Sequence, residues 1–363
     1  MPWRATPATT PSFTLNDMKM KAAILVGQNA PLEIAEVELP DGLMYGQVLV
    51  RVLVSGICGS QIGEMDGVKG PDRFIPHLLG HEGCGVVEKT GPGVSFVKAG
   101  DRVVMHWRKG AGIESATPRY TWGGRTVNAG WVTTFNEYAV VSENRLTPVD
   151  GDIDPEVAAL MGCAVTTGLG VINNNARLKI GESIAVFGVG GVGLNIVQGA
   201  SLVSANPIIA VDIYDHKLEM AKRFGATHTI NSRVSDPKAE ILRIAGKQGV
   251  DVAVDNTGVV EVIETAYEAT SASGRTILVG VPPKDKKIHI YSLPLHFEKV
   301  ITGSHGGESN PSVDIPKYIA LYRRGALKLK EMITHRRPLD DINAAISGMR
   351  RGEVVRSIIR INE

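Results

Sequence analysis

Three side chains of the metal-binding type are spread along the sequence: Cys58 in "GICGSQ", His81 in "GHEGCG" and Cys163 in "MGCAVTTG". Two thiolates and one imidazole can bind zinc and leave a fourth position for water or a substrate oxygen, as a catalytic zinc site requires. None of the three has a close partner of the C-x-x-C kind, so the spacing alone also allows cysteines packed in the core. The glycines that flank "IC" fit a tight loop that directs Cys58.

A second chemical signature is the G-x-G-x-x-G pattern of "AVFGVGGVGLNIVQGA", which follows an apolar strand and leads into a helix. Such glycines let the backbone approach a pyrophosphate, and the helix N-terminus favours its charge. Asp212 ends the next predicted strand, where a carboxylate binds the ribose 2′-hydroxyl, so NAD is the predicted cofactor. The nearby cation Lys217 leaves NADP as an alternative cofactor. The alternative to a dinucleotide site is a Rossmann-like domain that binds another ligand or none. The residues expected to bind the cofactor are Gly188, Gly190, Gly191, Val192, Gly193, Asp212 and Lys217.

The pattern of predicted elements changes near the middle of the chain. The first third consists of short β-rich runs, such as "QVLVRVLVSGI" and "DRVVMH", which is typical of a compact β domain. From Glu182 onward, apolar strands such as "SIAVFG" and "PIIAVD" alternate with helical stretches, which predicts a doubly wound parallel sheet. The C-terminal part holds one clear helix, "IPKYIALYRRG", and ends in "VVRSIIRINE", which could return to the first domain's sheet.

The bulk composition excludes several classes of function. The 363 residues have a net charge of +1, with 43% hydrophobic and 21% charged residues, so no basic excess exists for nucleic acid or a membrane surface. The sequence contains no run of about 18 apolar residues, so no transmembrane helix is predicted. Three cysteines are too few for a disulfide scaffold, and we expect a cytoplasmic enzyme. Residues 1–18, rich in Pro and Thr, are predicted to be a disordered extension.

Taken in order, the motifs "GICGS", "LLGHEGCGVV", "GDRV", "GCAVTTG" and "VFGVGGVGLNIVQGA" resemble the zinc-dependent alcohol dehydrogenases of the medium-chain dehydrogenase/reductase superfamily. The match runs from Lys21 to the C-terminus. It implies a two-domain α/β fold, with a GroES-like β-rich catalytic domain and a Rossmann coenzyme domain with a doubly wound parallel sheet. The expected bounds are 19–165 for the catalytic zinc domain, 166–305 for the NAD-binding domain and 306–363 for a C-terminal return that completes the catalytic domain.

The resemblance also implies roles for individual residues. Cys58, His81 and Cys163 become the ligands of a catalytic zinc. Glu82 matches an acid that can approach the metal during ligand exchange, with a satisfied carboxylate beside the metal as the alternative. Ser60 matches the hydroxyl that takes the substrate proton. Further cofactor contacts are expected from Thr167, Val279, Val281, Ser304 and Arg356, and the substrate pocket from Ser60, His106, Trp107 and Arg108.

Three features depart from the family pattern. Gln61 stands where an aspartate usually accepts a hydrogen bond from the zinc-bound histidine, and Gly63 where several members have a histidine that finishes the proton relay. The stretch 106–132 contains no cysteine, so the four-cysteine lobe for a structural zinc is missing and one zinc per chain is expected. Cys84 has no ligand counterpart in the family and is interpreted as core packing.

The sequence therefore predicts a zinc- and NAD-dependent oxidoreductase (EC 1.1.1.-) that interconverts an alcohol and an aldehyde or ketone. Arg108 and Lys109 favour a polyol, sugar-derived or acidic alcohol as the substrate, since a guanidinium suits carboxylate or phosphate. The alternative interpretation is that these charged residues belong to a solvated surface loop and do not contact the substrate. The competing functions are a zinc-free NAD(P)H-dependent reductase of the same superfamily and a member without turnover. The resemblance implies a homodimer or homotetramer joined through "IHIYSLPL".

Overall fold

The computed structural model describes Leu15 and residues 18–362. Leu15, inside the segment predicted to be disordered, is buried against a core that includes Met20 and Val37. The prediction for 1–14, 16 and 17 lies outside the described residues. Over the described residues, no single helix has the length and apolar composition needed to cross a membrane; only the bent pair Pro155–Met161 and Ala164–Ala176 meets both conditions together.

The elements are numbered here in chain order. The strands are β1 Lys19–Leu25, β2 Glu33–Glu38, β3 Gln47–Gly56, β4 His77–Leu78, β5 Glu82–Thr90, β6 Arg102–His106, β7 Arg119–Trp122, β8 Arg125–Asn128, β9 Tyr138–Ser142, β10 Leu146–Val149, β11 Ile184–Phe187, β12 Ile208–Asp212, β13 His228–Asn231, β14 Val250–Asp255, β15 Thr270–Leu278, β16 Val300–Gly303, β17 His335–Pro338 and β18 Ser357–Arg360. The helices are α1 Gly59–Met65, α2 Pro155–Met161, α3 Ala164–Gly170, α4 Gly191–Leu202, α5 Asp215–Arg223, α6 Pro237–Ala245, α7 Val260–Ala269, α8 Pro311–Arg323 and α9 Ile342–Arg350.

The first domain is built on two sheets. Strands β1, β2, β7, β8 and β4 close into a small barrel, and β10, β6, β5, β3, β18 and β17 form a second sheet, with β9 paired to β3. The apolar strand β3 is buried along almost its whole length, and its alternating side chains pack into different core clusters, with Leu49 in one and Val48 and Val50 in another. The C-terminal strand β18 pairs antiparallel with β3 and sets Ile358 opposite Gly56. The end of the chain therefore completes the sheet of the first domain.

The second domain is a parallel sheet in the order β13-β12-β11-β14-β15-β16. Its strands are almost wholly apolar, as parallel strands covered on both faces require, and "IAVF" of β11 is fully buried. The chain first builds outward from β11 through β12 to β13, and then returns to β14 on the other side. Ligands of such sheets bind at the carboxyl ends of the strands where this reversal occurs. The predicted two-domain α/β fold is confirmed.

Helix α3, which begins at the expected boundary between the two domains, packs closely against α4 beside this crevice. Gly168 of α3 faces α4, and a Cβ at this position would lie only 2.9 Å from the carbonyl oxygen of Val192. Real Cβ atoms do not approach so closely, so glycine permits the contact. The close packing of α3 brings Cys163, which directly precedes it, to the floor of the crevice.

Candidate active site

Three predicted metal ligands from three separate connections converge in the crevice. Cys58 is the N-cap of α1 after β3, His81 directly precedes β5, and Cys163 is the N-cap of α3. Their ligand atoms all lie within 4.8 Å of one another, and the two sulfurs are 4.0 Å apart. Both cysteines are buried. Chain segments that are distant in sequence thus form one compact donor set.

The electrostatics of this set fit a divalent cation. The hydrogen bond with the Cys163 thiol lowers the pKa of Cys58 well below its usual value; burial opposes this shift, and His81 adds to it. The hydrogen bond with Cys58 raises the pKa of Cys163 well above its usual value, and burial and the repulsion between two negative sulfurs raise it further. The buried Nε2 of His81 has no hydrogen-bond partner among the described residues. Two sulfurs and an imidazole nitrogen are ligands that zinc prefers, and a cation would relieve both the repulsion and the unpaired nitrogen.

Glu82 and Arg356 form a buried ion pair beside the ligands. The guanidinium of Arg356 contacts the Glu82 carboxylate, and the two side chains are 3% and 0% exposed. The other Glu82 oxygen accepts the N–H of Ala164 at 3.4 Å. Glu82 is therefore held by Arg356 and is not part of the group of converging ligand atoms. Arg356, expected to bind the cofactor, contacts Glu82 through one guanidinium nitrogen, while its Cδ and its other terminal nitrogen lie beside Gly191 of the glycine turn.

Gln61 has a different partner from the one that the sequence suggested. Its Oε1 accepts the backbone N–H of Cys58 at 3.0 Å, so the side chain closes the first turn of α1. Its Nε2 is buried without a hydrogen-bond partner among the described residues. The expected acceptance of an imidazole proton from His81 is not present. A glutamine reaches back three residues along the chain because its side chain is one methylene longer than that of aspartate, and it orients the loop of Cys58 directly.

The glycine turn lies at the opposite end of the crevice. Gly188 ends β11 with a φ of +83°, a conformation that favours glycine. A Cβ on Gly193 would collide with the carbonyl oxygen of Gly188, so glycine alone lets α4 start so close to the strand. The carboxylate of Asp212 accepts the N–H of Val189 at 2.9 Å and that of Ile213 at 2.8 Å. Asp212 therefore ties β12 to the turn and presents its carboxylate at the crevice.

A cavity of about 910 Å³ joins the two ends. It is lined by the predicted residues except Glu82, Gly193, His106 and Arg108. Ser60 stands at its metal end and donates to the sulfur of Cys58 at 3.3 Å, and Thr167 and Trp107 approach Cys163 as donors. The arrangement can hold a metal ion and a dinucleotide on the two sides of one substrate-sized space.

Comparison with known proteins identifies this arrangement. The model of the alcohol dehydrogenase GroES-like domain matches residues 45–151, and that of the zinc-binding dehydrogenase matches residues 191–324. An S-(hydroxymethyl)glutathione dehydrogenase of Escherichia coli is 32% identical over an alignment of 370 positions, which covers 94% of this chain and 100% of the relative. A class-3 alcohol dehydrogenase of Cereibacter sphaeroides is 34% identical over 376 residues with the same coverage. The chain belongs to the zinc-dependent alcohol dehydrogenases.

Solved structures agree with this assignment. The benzyl alcohol dehydrogenase of Acinetobacter calcoaceticus superposes with a TM-score of 0.85 at 28% identity, covering 95% of this chain and 99% of that one. A 2R,3R-butanediol dehydrogenase of Bacillus subtilis gives a TM-score of 0.76 at 28% identity, covering 94% and 100%. The predicted family and the oxidoreductase class EC 1.1.1.- are confirmed, as is the interconversion of an alcohol and a carbonyl compound. The family uses zinc and NAD(H).

Two residues predicted for the substrate pocket of this alcohol dehydrogenase lie behind its wall. The ring of His106 is fully buried, with Nδ1 2.7 Å from the Arg108 carbonyl and Nε2 2.9 Å from Thr147 Oγ1. Burial lowers its pKa to about 4, so the ring is neutral. Arg108 Nε donates to the Ser309 carbonyl at 2.9 Å, and its guanidinium also contacts His305. Both side chains thus fix the wall and do not face the cavity.

Sequence reasoning missed the residues that complete this wall. His305 packs edge-to-face on Trp107 with ring centroids 4.9 Å apart, and it lines the cavity with Gly306. On the other side, Glu64 and Lys69 line the mouth. None of them lies in a spaced motif, since loops supply them through tertiary contacts. The only signal available was the position of Glu64 four residues after Ser60, on the same face of a helix.

The segment that holds a second zinc in many alcohol dehydrogenases is organised here by a buried carboxylate. Glu143 is 1% exposed and accepts the N–H groups of Ser95 at 2.6 Å and Ile113 at 2.8 Å. Arg145 adds an ion pair with Glu114 at 3.1 Å. Cys84, in contrast, is fully buried in the apolar core, and burial raises its pKa to about 12. The described part of the chain thus offers a single cluster of thiol ligands.

Proposed function

We propose that the protein is an NAD-dependent alcohol dehydrogenase with one catalytic zinc, held by Cys58, His81 and Cys163. The observation that carries this proposal is the convergence of two thiols and an unpartnered imidazole within 4.8 Å at one end of a cavity whose other end is the glycine turn. When bound, zinc supplies Lewis acidity toward the alcohol oxygen, and NAD accepts the hydride. Glu82 would serve as the neighbouring carboxylate that Arg356 holds in place.

The residues of the chain position the reactants and move the proton. Ser60 Oγ, at the metal end of the cavity, is placed to accept the proton of the substrate hydroxyl. Thr167 packs where the nicotinamide would lie, and the backbone near Val279, Val281 and Ser304 would hold its carboxamide. Trp107 forms an apolar wall that excludes water from this space. These roles are supported by the position of each residue on the cavity.

Asp212 supports the choice of NAD over NADP. Its carboxylate stands at the cavity with both oxygens held by backbone N–H groups, so it is fixed and negative where a 2′-phosphate would have to lie. Lys217 is the competing feature, since its Nζ lies 4.7 Å from the ring centre of Tyr214 near the same position. The ratio of kcat/KM for NAD and NADP tests the proposal, and a preference for NADP would reject it.

We further propose a polar alcohol as the substrate. The charge that favours it comes from Lys69, which lines the cavity, because Arg108 donates to the Ser309 carbonyl in the cavity wall. The E. coli relative, by its name, acts on S-(hydroxymethyl)glutathione, a polar alcohol. Zinc analysis combined with NADH absorbance over a panel of polar and aliphatic alcohols tests both parts. Turnover without bound zinc would favour the zinc-free reductase, and a preference for simple aliphatic alcohols would reject the polar substrate.

A homodimer or homotetramer is the assembly that we propose. Strand β16 is the edge of the parallel sheet, and Val300 on it is 47% exposed. The preceding segment exposes Tyr291, Leu293 and Phe297, with Tyr291 and Phe297 each 70% exposed. An exposed apolar edge of this kind is suited to pairing with a second copy. Sedimentation that shows only monomers at micromolar concentration would reject this assembly.

A further inference from the structure

The proposed reaction leaves a gap in proton transfer, because Gly63 offers no side chain where the resemblance to the family implies a relay histidine in several members. Gly63 lies on α1 and lines the cavity. A Cβ at this position would meet only Val68, at an ordinary contact distance of 3.6 Å, so space does not force a glycine. The substrate proton therefore needs another acceptor on this side of the cavity.

Glu64, the next residue, occupies a suitable place. It lines the same cavity as Ser60, and the two are four residues apart on α1, so their side chains lie on one face of the helix. The Glu64 side chain is 45% exposed. Its carboxylate can thus exchange a proton both with the cavity and with bulk water.

Behind Glu64 stands a histidine between two carboxylates. His77 Nε2 lies 2.8 Å from Asp72 Oδ2 and 3.9 Å from Glu64 Oε1, while its Nδ1 lies 2.9 Å from the Leu78 carbonyl oxygen. A carbonyl can only accept, so Nδ1 carries a proton. Nε2 faces the Asp72 carboxylate, so the two hydrogen bonds together fix the imidazole ring beside Glu64.

The charged groups around Glu64 differ in whether they face the cavity. Lys69, in the loop after α1, lines the same cavity mouth. Asp66 at the end of α1 is paired with Arg350 of α9 and does not line the cavity. His77 and Asp72 face Glu64 from the segment before β5. Glu64 is therefore the carboxylate of this helix that faces the cavity, with Lys69 lining the same cavity and the His77–Asp72 pair behind it.

We propose that Glu64, supported by the His77–Asp72 pair, is the proton acceptor that takes the place of the absent relay histidine; this inference rests on the proposed function. During alcohol oxidation the hydroxyl proton of the substrate passes to Ser60 Oγ while the proton of Ser60 passes through water to the Glu64 carboxylate. The C–H electron pair leaves separately as hydride to NAD. Glu64 then releases the proton to solvent, and carbonyl reduction reverses each transfer.

The same three residues could instead ligate a cation, since their ligand atoms lie within 4.8 Å of one another. The geometry favours proton transfer over cation binding, because the short contact of His77 with Asp72 already occupies the nitrogen that a cation would need.

Single-turnover kinetics test the proposal in the zinc-loaded enzyme, with NADH absorbance and a pH indicator followed together. Glu64→Gln is expected to slow both signals about tenfold or more, in the range of general acid–base effects. Added imidazole should restore the rate in proportion to its concentration, whereas the wild type should not respond. The matched control Asp66→Asn, on the same helix end but off the cavity, should behave as wild type. Gly63→His in the Glu64→Gln background should restore turnover without imidazole.

Several results would overturn the proposal. An unchanged single-turnover rate and no response to imidazole in a folded Glu64→Gln variant would exclude Glu64 as the acceptor. A second divalent ion per chain in the wild type that disappears in Glu64→Gln would show a metal site in its place. If the wild type forms no NADH with any alcohol of the panel, the proposed function itself fails. If the wild type is active and the Glu64→Gln variant is equally active, only the role of Glu64 is rejected.

Discussion

The coenzyme end and the metal end of the cavity are built in different ways. The glycine turn of the coenzyme end is formed by one continuous segment, in which missing side chains let the backbone and a helix start approach each other. The metal end is formed by side chains from three connections, two of which lie 105 residues apart in sequence. A backbone site of this kind is specified locally, whereas a side-chain site depends on the whole fold that brings its members together.

The largest effect is expected at the metal end. Cys163→Ala should abolish zinc binding and NADH formation, because two ligands rarely hold zinc at a catalytic site. Cys84→Ala is the matched control, since it removes the same atom type from an equally buried position in the core. It should keep its zinc and its turnover and lose about 1 kcal/mol of stability. Zinc analysis and thermal unfolding check both variants, and a zinc-loaded Cys163→Ala protein would contradict the assignment of ligands.

Substitutions of two glycines at the coenzyme end separate the effect on stability from the effect on NADH binding. Gly193→Ala should lower both the unfolding temperature and the affinity for NADH, because its Cβ collides with the Gly188 carbonyl. Gly190→Ala should keep the fold, since no atom lies within 4 Å of its Cβ position, while it weakens NADH binding because a methyl group enters the path of the pyrophosphate. Calorimetric unfolding and NADH fluorescence titration separate the two effects. Equal unfolding temperatures for both variants would contradict the steric argument.

Ser60→Ala tests the proton step between the two ends. The variant should lower kcat by about 100-fold, within the range of general acid–base catalysis, and leave NADH binding and zinc content nearly intact. Ser60 touches Cys58 through a hydrogen bond of 3.3 Å, so zinc content must be measured together with kcat. Normal turnover in a zinc-loaded variant would show that Ser60 does not take the proton.

The smallest expected effect concerns the wall of the metal end. Burial lowers the pKa of His106 from 6.5 to about 4, so the unfolded chain binds this proton at a higher pH than the folded one. Stability from this group is therefore complete above about pH 6.5 and is lost as the pH falls toward 4. Between pH 7 and pH 5 the loss should be about 2 kcal/mol. Urea unfolding should show a smaller loss over the same range for His106→Asn, and an equal loss would contradict the buried neutral ring.

The coenzyme end and the parallel sheet could be predicted from residues alone, because the glycine pattern and the apolar strands encode them locally. The three ligands required the resemblance, since nothing in their spacing shows that Cys58, His81 and Cys163 meet. The sequence could not predict the hydrogen-bond partner of Gln61, nor that Arg108 binds the cavity wall and does not face the cavity. Each depends on which atom of a neighbouring loop is within reach, such as the Cys58 N–H or the Ser309 carbonyl, and such contacts appear only after the chain has folded.

The return of β18 to the first domain has a consequence for the order in which the protein forms during synthesis. Cys58, His81 and Glu82 emerge from the ribosome early, but Arg356 and the strand that pairs with β3 are made last. Until then Glu82 lacks its buried counter-charge, which is costly in an apolar surrounding. The first domain therefore reaches its final state only after the coenzyme domain has been synthesised, and a chain that stops before Arg356 leaves Glu82 without its counter-charge beside the proposed metal ligands.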